Sequence, residues 1–310
     1  MKIGSYLLTA VSGLALAAAL PAFSASLPDI TGSPQMVVTV LPGQNGSRPD
    51  NLAPGDVNVQ LDKAPAPVVR IQRLTGDLAD MQLFILLDDS SRSASLSTHF
   101  KELKDFVNSL PSTTQVGIGY MRNGTFSLAQ NFIFDHQKAA AALRLPMALP
   151  GANGSPYFCL SELLKHWPSS EATGRRAVLM LTDGIDRYNA GGDLEDPYMD
   201  AAIHDAVRRG VLVYSIYLSG AGRFGRNGGP MAFGQSHLIQ VSEETGGYAY
   251  FEDFRDPVDI APFLTDLRDR FEHQYQVTIG AVNQKGFVSA KLHTESKGVK
   301  VVGPKTVYVP

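Results

Sequence analysis

The chain is expected to form an α/β domain, a mostly parallel central sheet with helices on both faces, inserted in a small β-sandwich. Three observations predict this. Between about residues 79 and 273, continuously apolar runs of strand length alternate with amphipathic stretches at helical spacing, joined by short connections. Before and after that span the apolar pattern is of strand type only. Neither flanking β segment has enough strands for a core of its own, so the two are expected to pack together.

The elements follow in order. Residues 1–24 carry a basic start at Lys2, an apolar run from Leu7 to Leu20 and small residues around Ala22-Phe23-Ser24. That is the pattern of a signal peptide cleaved near Ser24, and the run is short for a membrane span. Residues 25–78 form the first β segment. Met36 to Leu41 reads as a strand ended by Pro42-Gly43, and Val57 to Leu61 and Val68 to Leu74 alternate as half-buried strands do.

Within 79–273, Leu83 to Leu87 is continuously apolar, as a strand covered on both faces must be. Leu96, Phe100, Leu103, Val107 and Leu110 then mark a helix. Strands are expected at Val116 to Tyr120, Phe126 to Phe134, Ala177 to Leu181, Val211 to Leu218 and Tyr248 to Phe251. Helices are expected at Gln137 to Leu145, Pro156 to Trp167, Tyr198 to Arg209 and His237 to Thr245, and a last one is capped by Asp256 with Pro257 at its first position. Residues 274–310 return to β, with strands at Tyr275 to Val282, Phe287 to His293 and Val299 to Val309.

Composition narrows the functional classes. Of 310 residues 18% are charged, the formal net charge is −3 and there is no run of Lys or Arg, which argues against a nucleic-acid surface. No apolar run after the first segment reaches spanning length, so no membrane span is expected in the mature chain. The one cysteine, Cys159, excludes an intramolecular disulfide and thiolate-held structural zinc. Its apolar surroundings suit a buried small hydrophobe.

An open α/β sheet binds ligands at the carboxyl ends of its strands. Three segments are expected to meet there: Asp89-x-Ser91-x-Ser93 after the first core strand, Ser155 before a helix, and Thr182-Asp183-Gly184 after a buried strand. Their side chains are hard oxygen donors with no imidazole or thiolate. Such a set suits Mg²⁺, with Mn²⁺ or Ca²⁺ as alternatives, rather than zinc or copper. Taken singly, each element also has an ordinary structural role: Ser155 is a helix cap and Asp183-Gly184 a turn.

In order and spacing these three segments resemble the metal-ion-dependent adhesion site of von Willebrand factor A domains, across about residues 81–272. The flanking segments resemble bacterial exported proteins called von Willebrand factor A-related. The resemblance implies a Rossmann-like fold and a metal-binding module rather than an enzyme, the metal held by Asp89, Ser91, Ser93, Ser155 and Asp183, with a partner protein's acidic side chain completing the metal's coordination. It implies an exported location, in the periplasm, secreted or at the surface of a bacterium. Two departures stand out: Ser155 takes a position usually held by threonine, and Arg92 one usually held by a small residue. Asp88 is an extra carboxylate, either an outer acceptor for a ligand or a strand-end charge.

Rival readings are weaker. Gly220-Ala221-Gly222-Arg223-Phe224-Gly225 matches a dinucleotide fingerprint, but more breakers follow and the next helix is expected only near Ser236, so residues 219–235 read as a loop. The acidic run Asp186, Asp193, Glu195, Asp196 reads as a solvated face. A structural module with a vestigial metal site, or a metal-assisted hydrolase, are the alternatives to a binding module.

Overall fold

The computed structural model describes residues 33–44, 46, 49, 51–90, 93–148, 154–171, 174–189, 196–219, 228–253 and 255–310, with backbone alone at 93–94 and 228–230. The expected signal segment, Met1 to Ser24, lies outside the described residues. No helix among those described is long and apolar enough to cross a membrane.

Four strands of the ends form one antiparallel sheet in the order β13-β1-β11-β4. These are β1 (Gln35–Pro42), β4 (Val68–Arg73), β11 (Gln274–Ile279) and β13 (Val299–Val302). A second sheet runs β14-β12-β2-β3, from β2 (Val57–Leu61), β3 (Ala64–Ala66), β12 (Gly286–Thr294) and β14 (Thr306–Val309). N-terminal strands pair directly with C-terminal ones, β1 and β4 with β11 and β2 with β12. Val38, Leu61, Val277 and Ile279 are fully buried in the core they share. The expected strand from Val299 to Val309 is two strands, because Gly303-Pro304 interrupts the ladder between them.

The α/β part holds a six-stranded sheet in the order β10-β9-β8-β5-β6-β7. Its strands are β5 (Met81–Asp88), β6 (Thr114–Arg122), β7 (Thr125–Ile133), β8 (Arg175–Thr182), β9 (Val211–Tyr217) and β10 (Ala249–Tyr250). All neighbours are parallel except β7, which pairs antiparallel with β6 at the edge. Two helical layers cover the sheet. Side chains of α1 (Ser93–Ser109), α2 (His136–Ala141) and α6 (Ala261–Glu272) pack with Leu83, Ile85 and Leu87 of β5. Those of α3 (Pro156–Lys165), α4 (Pro197–Arg209) and α5 (Gly228–Thr245) pack with Phe84 and Leu86. This is the mostly parallel sheet between two helical layers that the sequence predicts.

Two element boundaries differ from expectation. Helix α5 begins at Gly228, not near Ser236. Gly229-Pro230, part of the breaker stretch that follows Gly225, occupies the first turn, where proline's missing N–H has no intrahelical partner to lose. Helix α6 begins at Ala261 with Ile260 at its cap position. Asp256 does not cap it; its carboxylate accepts from the Ser95 hydroxyl at 2.5 Å and the Ser219 N–H at 2.6 Å, tying α1 to the end of β9.

Candidate functional site

The parity of β5 decides how the carboxyl edge of the sheet is built. Successive side chains of a strand point to opposite faces. Asp88 shares a face with Phe84 and Leu86, on the side of α3, α4 and α5. Asp89, one residue on, meets the segment that follows α2, on the other side: its Oδ1 accepts from Arg144 Nη1 at 2.6 Å and from the Met147 N–H at 3.0 Å. The two adjacent carboxylates therefore sit in different surroundings.

Asp88 is 3% exposed. Its Oδ1 accepts from the Ser90 N–H at 2.9 Å and the Ser90 hydroxyl at 2.7 Å, and its Oδ2 accepts from the Thr182 hydroxyl at 3.0 Å. Strand pairing explains the last contact: Leu87 lies opposite Leu181 in the parallel β5–β8 ladder, so the strand-end residues Asp88 and Thr182 come side by side. Burial, and then the nearby charge of Asp183, push the Asp88 carboxyl above its usual range, against the lowering effect of the Ser90 hydrogen bonds.

Asp183 is also buried. Its Oδ1 accepts from the Ile185 N–H at 3.0 Å and its Oδ2 pairs with Arg187 Nη2 at 2.7 Å. The turn it belongs to is held rigidly. Gly184 has a φ of +68°, and a Cβ there would meet the Gly234 carbonyl oxygen at 2.4 Å. A Cβ on Gly234 would meet the Asp183 carbonyl oxygen at 2.3 Å. Helix α5 thus lies against the turn backbone to backbone, which is why a helix interior carries glycine at 234.

Ser155 caps α3, accepting from the Phe158 N–H at 3.1 Å, and donates its hydroxyl to Asp186 Oδ2 at 2.6 Å. Burial raises the Asp186 carboxyl, opposed by the Ser155 hydrogen bond and reinforced by the charge of Asp196. Both aspartates are buried, so these two members of the acidic run are not a solvated face; Asp186 organises the turn at Tyr188 and Asn189, and Asp196 caps α4 through the Tyr198 and Met199 N–H groups. Asp193 and Glu195 lie outside the described residues. The same edge is closed by Tyr157, whose hydroxyl donates to the Gly184 carbonyl at 2.7 Å, and by the Arg187 N–H donating to the Gly154 carbonyl at 2.7 Å.

Of the five residues the sequence nominates, Asp89, Ser155 and Asp183 are described at the carboxyl edge, each with protein partners. Ser91 lies outside the described residues, as do Arg92 and the side chain of Ser93. Sequence reading missed Ser90 and Thr182 as oxygen donors and ranked Asp88 below Asp89. The available signal was parity: a strand ending Leu86-Leu87-Asp88 between helical layers puts Asp88, not Asp89, next to the residue at the end of the neighbouring strand. Among the described residues, no three His, Cys, Asp or Glu side chains are grouped so as to hold a metal. Among the carboxylates of this edge, Asp88 and Asp183 lie with the hydroxyls of Ser90 and Thr182, an oxygen set whose chemistry fits a hard divalent cation. Asp88 and Asp183 are buried close enough for one charge to raise the other's carboxyl, a repulsion that such a cation would relieve.

No protein-family model matches the chain, and no curated protein matches it. Among solved structures it is similar to a von Willebrand factor type A protein from Catenulispora acidiphila, with 10% identity over 90% of this chain and 74% of that one, at a TM-score of 0.45. It is similar to the pilus adhesin SpaC from Lactobacillus rhamnosus GG, with 10% identity over 86% of this chain and 48% of that one, at a TM-score of 0.46. A third is the proximal thread matrix protein 1 of the mussel byssus, described with a zinc-occupied MIDAS motif, with 14% identity over 64% of this chain and 46% of that one, at a TM-score of 0.42. Likenesses of this size carry no argument about function. The architecture stands on the chain's own sheet order: a mostly parallel six-stranded sheet between two helical layers.

Proposed function

We propose that this is an exported, non-enzymatic binding module in which the carboxyl edge of the six-stranded sheet holds a divalent cation, Mg²⁺ in the first instance, that engages an acidic side chain of a protein partner. The observation that carries the reading is the pairing of two buried carboxylates, Asp88 and Asp183, beside the hydroxyls of Ser90 and Thr182. The donor set is all oxygen, which suits Mg²⁺, Mn²⁺ or Ca²⁺. Relative to the sequence reading, Asp88 takes the place given to Asp89, whose carboxylate is engaged by Arg144. Ser91 and Ser93 stay in the proposed set as hydroxyls of the loop that follows, and Ser155 as the hydroxyl of the facing loop. When bound, the cation supplies a positive point with exchangeable water, to which a partner carboxylate can attach.

A second reading has its own support. The pairs Arg144–Asp89 and Arg187–Asp183 neutralise two of the edge's carboxylates internally, as a structural module without metal would. Thermal unfolding of the mature protein in EDTA, then with excess Mg²⁺, Mn²⁺ or Ca²⁺, separates the two. Metal at about a hundred times its Kd adds roughly 2.7 kcal/mol to the native state. The binding module requires a melting shift that Asp88→Asn abolishes and Asp89→Asn keeps. A shift lost only in Asp89→Asn returns the site to the register first read from the sequence. No shift in the wild type favours the structural module.

A further inference from the structure

At the opposite end of the sheet lies a buried arginine whose charge the described residues leave unpaired. Arg175 opens β8 and is 6% exposed. Its Nη1 donates to the Phe271 carbonyl at 2.7 Å and to Gln274 Oε1 at 3.0 Å, and its Nη2 donates to the Ala79 carbonyl at 2.8 Å. All three acceptors are neutral. Ala79 lies just before β5, Phe271 in the last turn of α6 and Gln274 at the start of β11. A guanidinium has five N–H donors. These bonds engage three, and Nε has no partner among the described residues. Burial drives Arg175 down to about 10, offset only in part by the nearby Tyr214 and by the charge of Asp80, which makes no salt bridge with it.

Arg175 also lines a cavity of about 280 Å³ between the two parts of the molecule. Its walls are chiefly apolar, from Leu74, Ala79, Met81, Pro111 and Phe271. The charged groups around it are Arg73, Arg175, Arg268 and Glu272, and Glu272 lies 4.0 Å from Arg268. Cations thus outnumber anions on an apolar wall. The volume sits just below the roughly 300 Å³ at which small-molecule pockets begin, which limits the ligand to a small one.

We propose that this cavity binds a small monocarboxylic acid, its apolar body against Met81 and Phe271 and its carboxylate on Arg175. With both Nη1 hydrogens and one on Nη2 engaged, a carboxylate can accept the second Nη2 N–H in a charge-assisted bond, stronger than the bond an alcohol or an amide makes there. The site lies a full strand length, about 23 Å, from Asp88, so it stands or falls independently of the metal reading.

The test is titration of the mature protein with hexanoate and with benzoate, by calorimetry and by melting temperature, beside hexanamide as the neutral counterpart. One-to-one binding of at least one acid, with a raised melting temperature and binding of hexanamide weaker by about tenfold or more, is the expected result, because charge-assisted hydrogen bonds are the strong ones. Arg175→Met should abolish acid binding. Since Arg175 also ties the segment before β5 to the end of α6 and the start of β11, Ala79→Leu serves as the second variant: it narrows the cavity, keeps the Ala79 carbonyl and should weaken binding with the fold intact. The proposal is overturned if neither acid binds the wild type, if hexanamide binds as well as hexanoate, or if a folded variant of either kind binds the acid unchanged.

Discussion

Thr182 donates its hydroxyl to Asp88 Oδ2 at 3.0 Å, so that the ends of two neighbouring parallel strands are joined by side chains where their backbone ladder stops. Thr182 is fully buried, and the Gly184 N–H approaches the same hydroxyl at 3.4 Å. Thr182→Val keeps the shape and removes the hydrogen bond, leaving Asp88 Oδ2 without its partner. The expected cost is about 1–3 kcal/mol, the penalty for an unsatisfied buried acceptor, read from urea unfolding with an unchanged m-value. Thr182→Ser should recover most of it. Equal stability of the valine and serine variants would show that the hydroxyl contributes nothing.

Arg187 competes for the carboxylate that the metal reading needs. Its guanidinium is 15% exposed and holds Asp183 Oδ2 at 2.7 Å. Arg187→Gln should therefore lower stability without metal and raise affinity for Mg²⁺ or Mn²⁺, both measured on the same preparation by melting and by calorimetry. A variant that binds the cation no more tightly than wild type would remove Arg187 from this role.

Ser155 carries two structural bonds whether or not a metal is present. Ser155→Ala loses the cap of α3 and leaves Asp186 Oδ2 without its donor. Loss of a cap alone costs about 0.5–2 kcal/mol, and the abandoned carboxylate oxygen adds to it. The expected outcome is a total of about 2–3 kcal/mol in chemical denaturation. Ser155→Thr should be close to neutral, since threonine caps helices through the same oxygen.

Cys159 gives a pH signature. Burial pushes its thiol from an ordinary 9.0 up to about 12. Between those values the unfolded chain is a thiolate while the native chain keeps its proton. The native state then binds more protons, and stability falls as pH rises through that window, by up to about 1.4 kcal/mol per pH unit. Cys159→Ala should reduce that slope, as measured by urea unfolding between pH 8 and about 9, below the range in which buried tyrosines such as Tyr157, Tyr214 and Tyr250 add a slope of the same sign. At pH 8, thiol reagents should label the native protein only as fast as it opens. Rapid labelling would show that Cys159 is accessible.

Much of the fold was legible in the sequence because its cause is local. Short continuous apolar runs such as Leu83 to Leu87 have the length and composition of strands covered on both faces, and the spacing from Leu96 to Leu110 is helical. The glycines were harder. Gly234 falls in the stretch expected as a loop, yet it lies inside α5, because the requirement it meets, contact with the backbone at Asp183, comes from a segment some fifty residues away. Asp256 reads as a cap and instead links Ser95 to Ser219, neither of which is close to it in sequence.

By itself the sequence determined the class of the protein, the three loops that meet at the sheet edge and the oxygen character of their side chains, since periodicity and residue type are properties of short segments. Only the tertiary structure decided which carboxylate faces which partner. Asp88 and Asp89 are chemically identical and adjacent, and one step along a strand reverses the direction of a side chain. Their roles are therefore set by β8 and Thr182 on one side and by Arg144 on the other. The same holds for Arg175: nothing in its local sequence marks it as a buried cation until Ala79, the end of α6 and the start of β11 close around it.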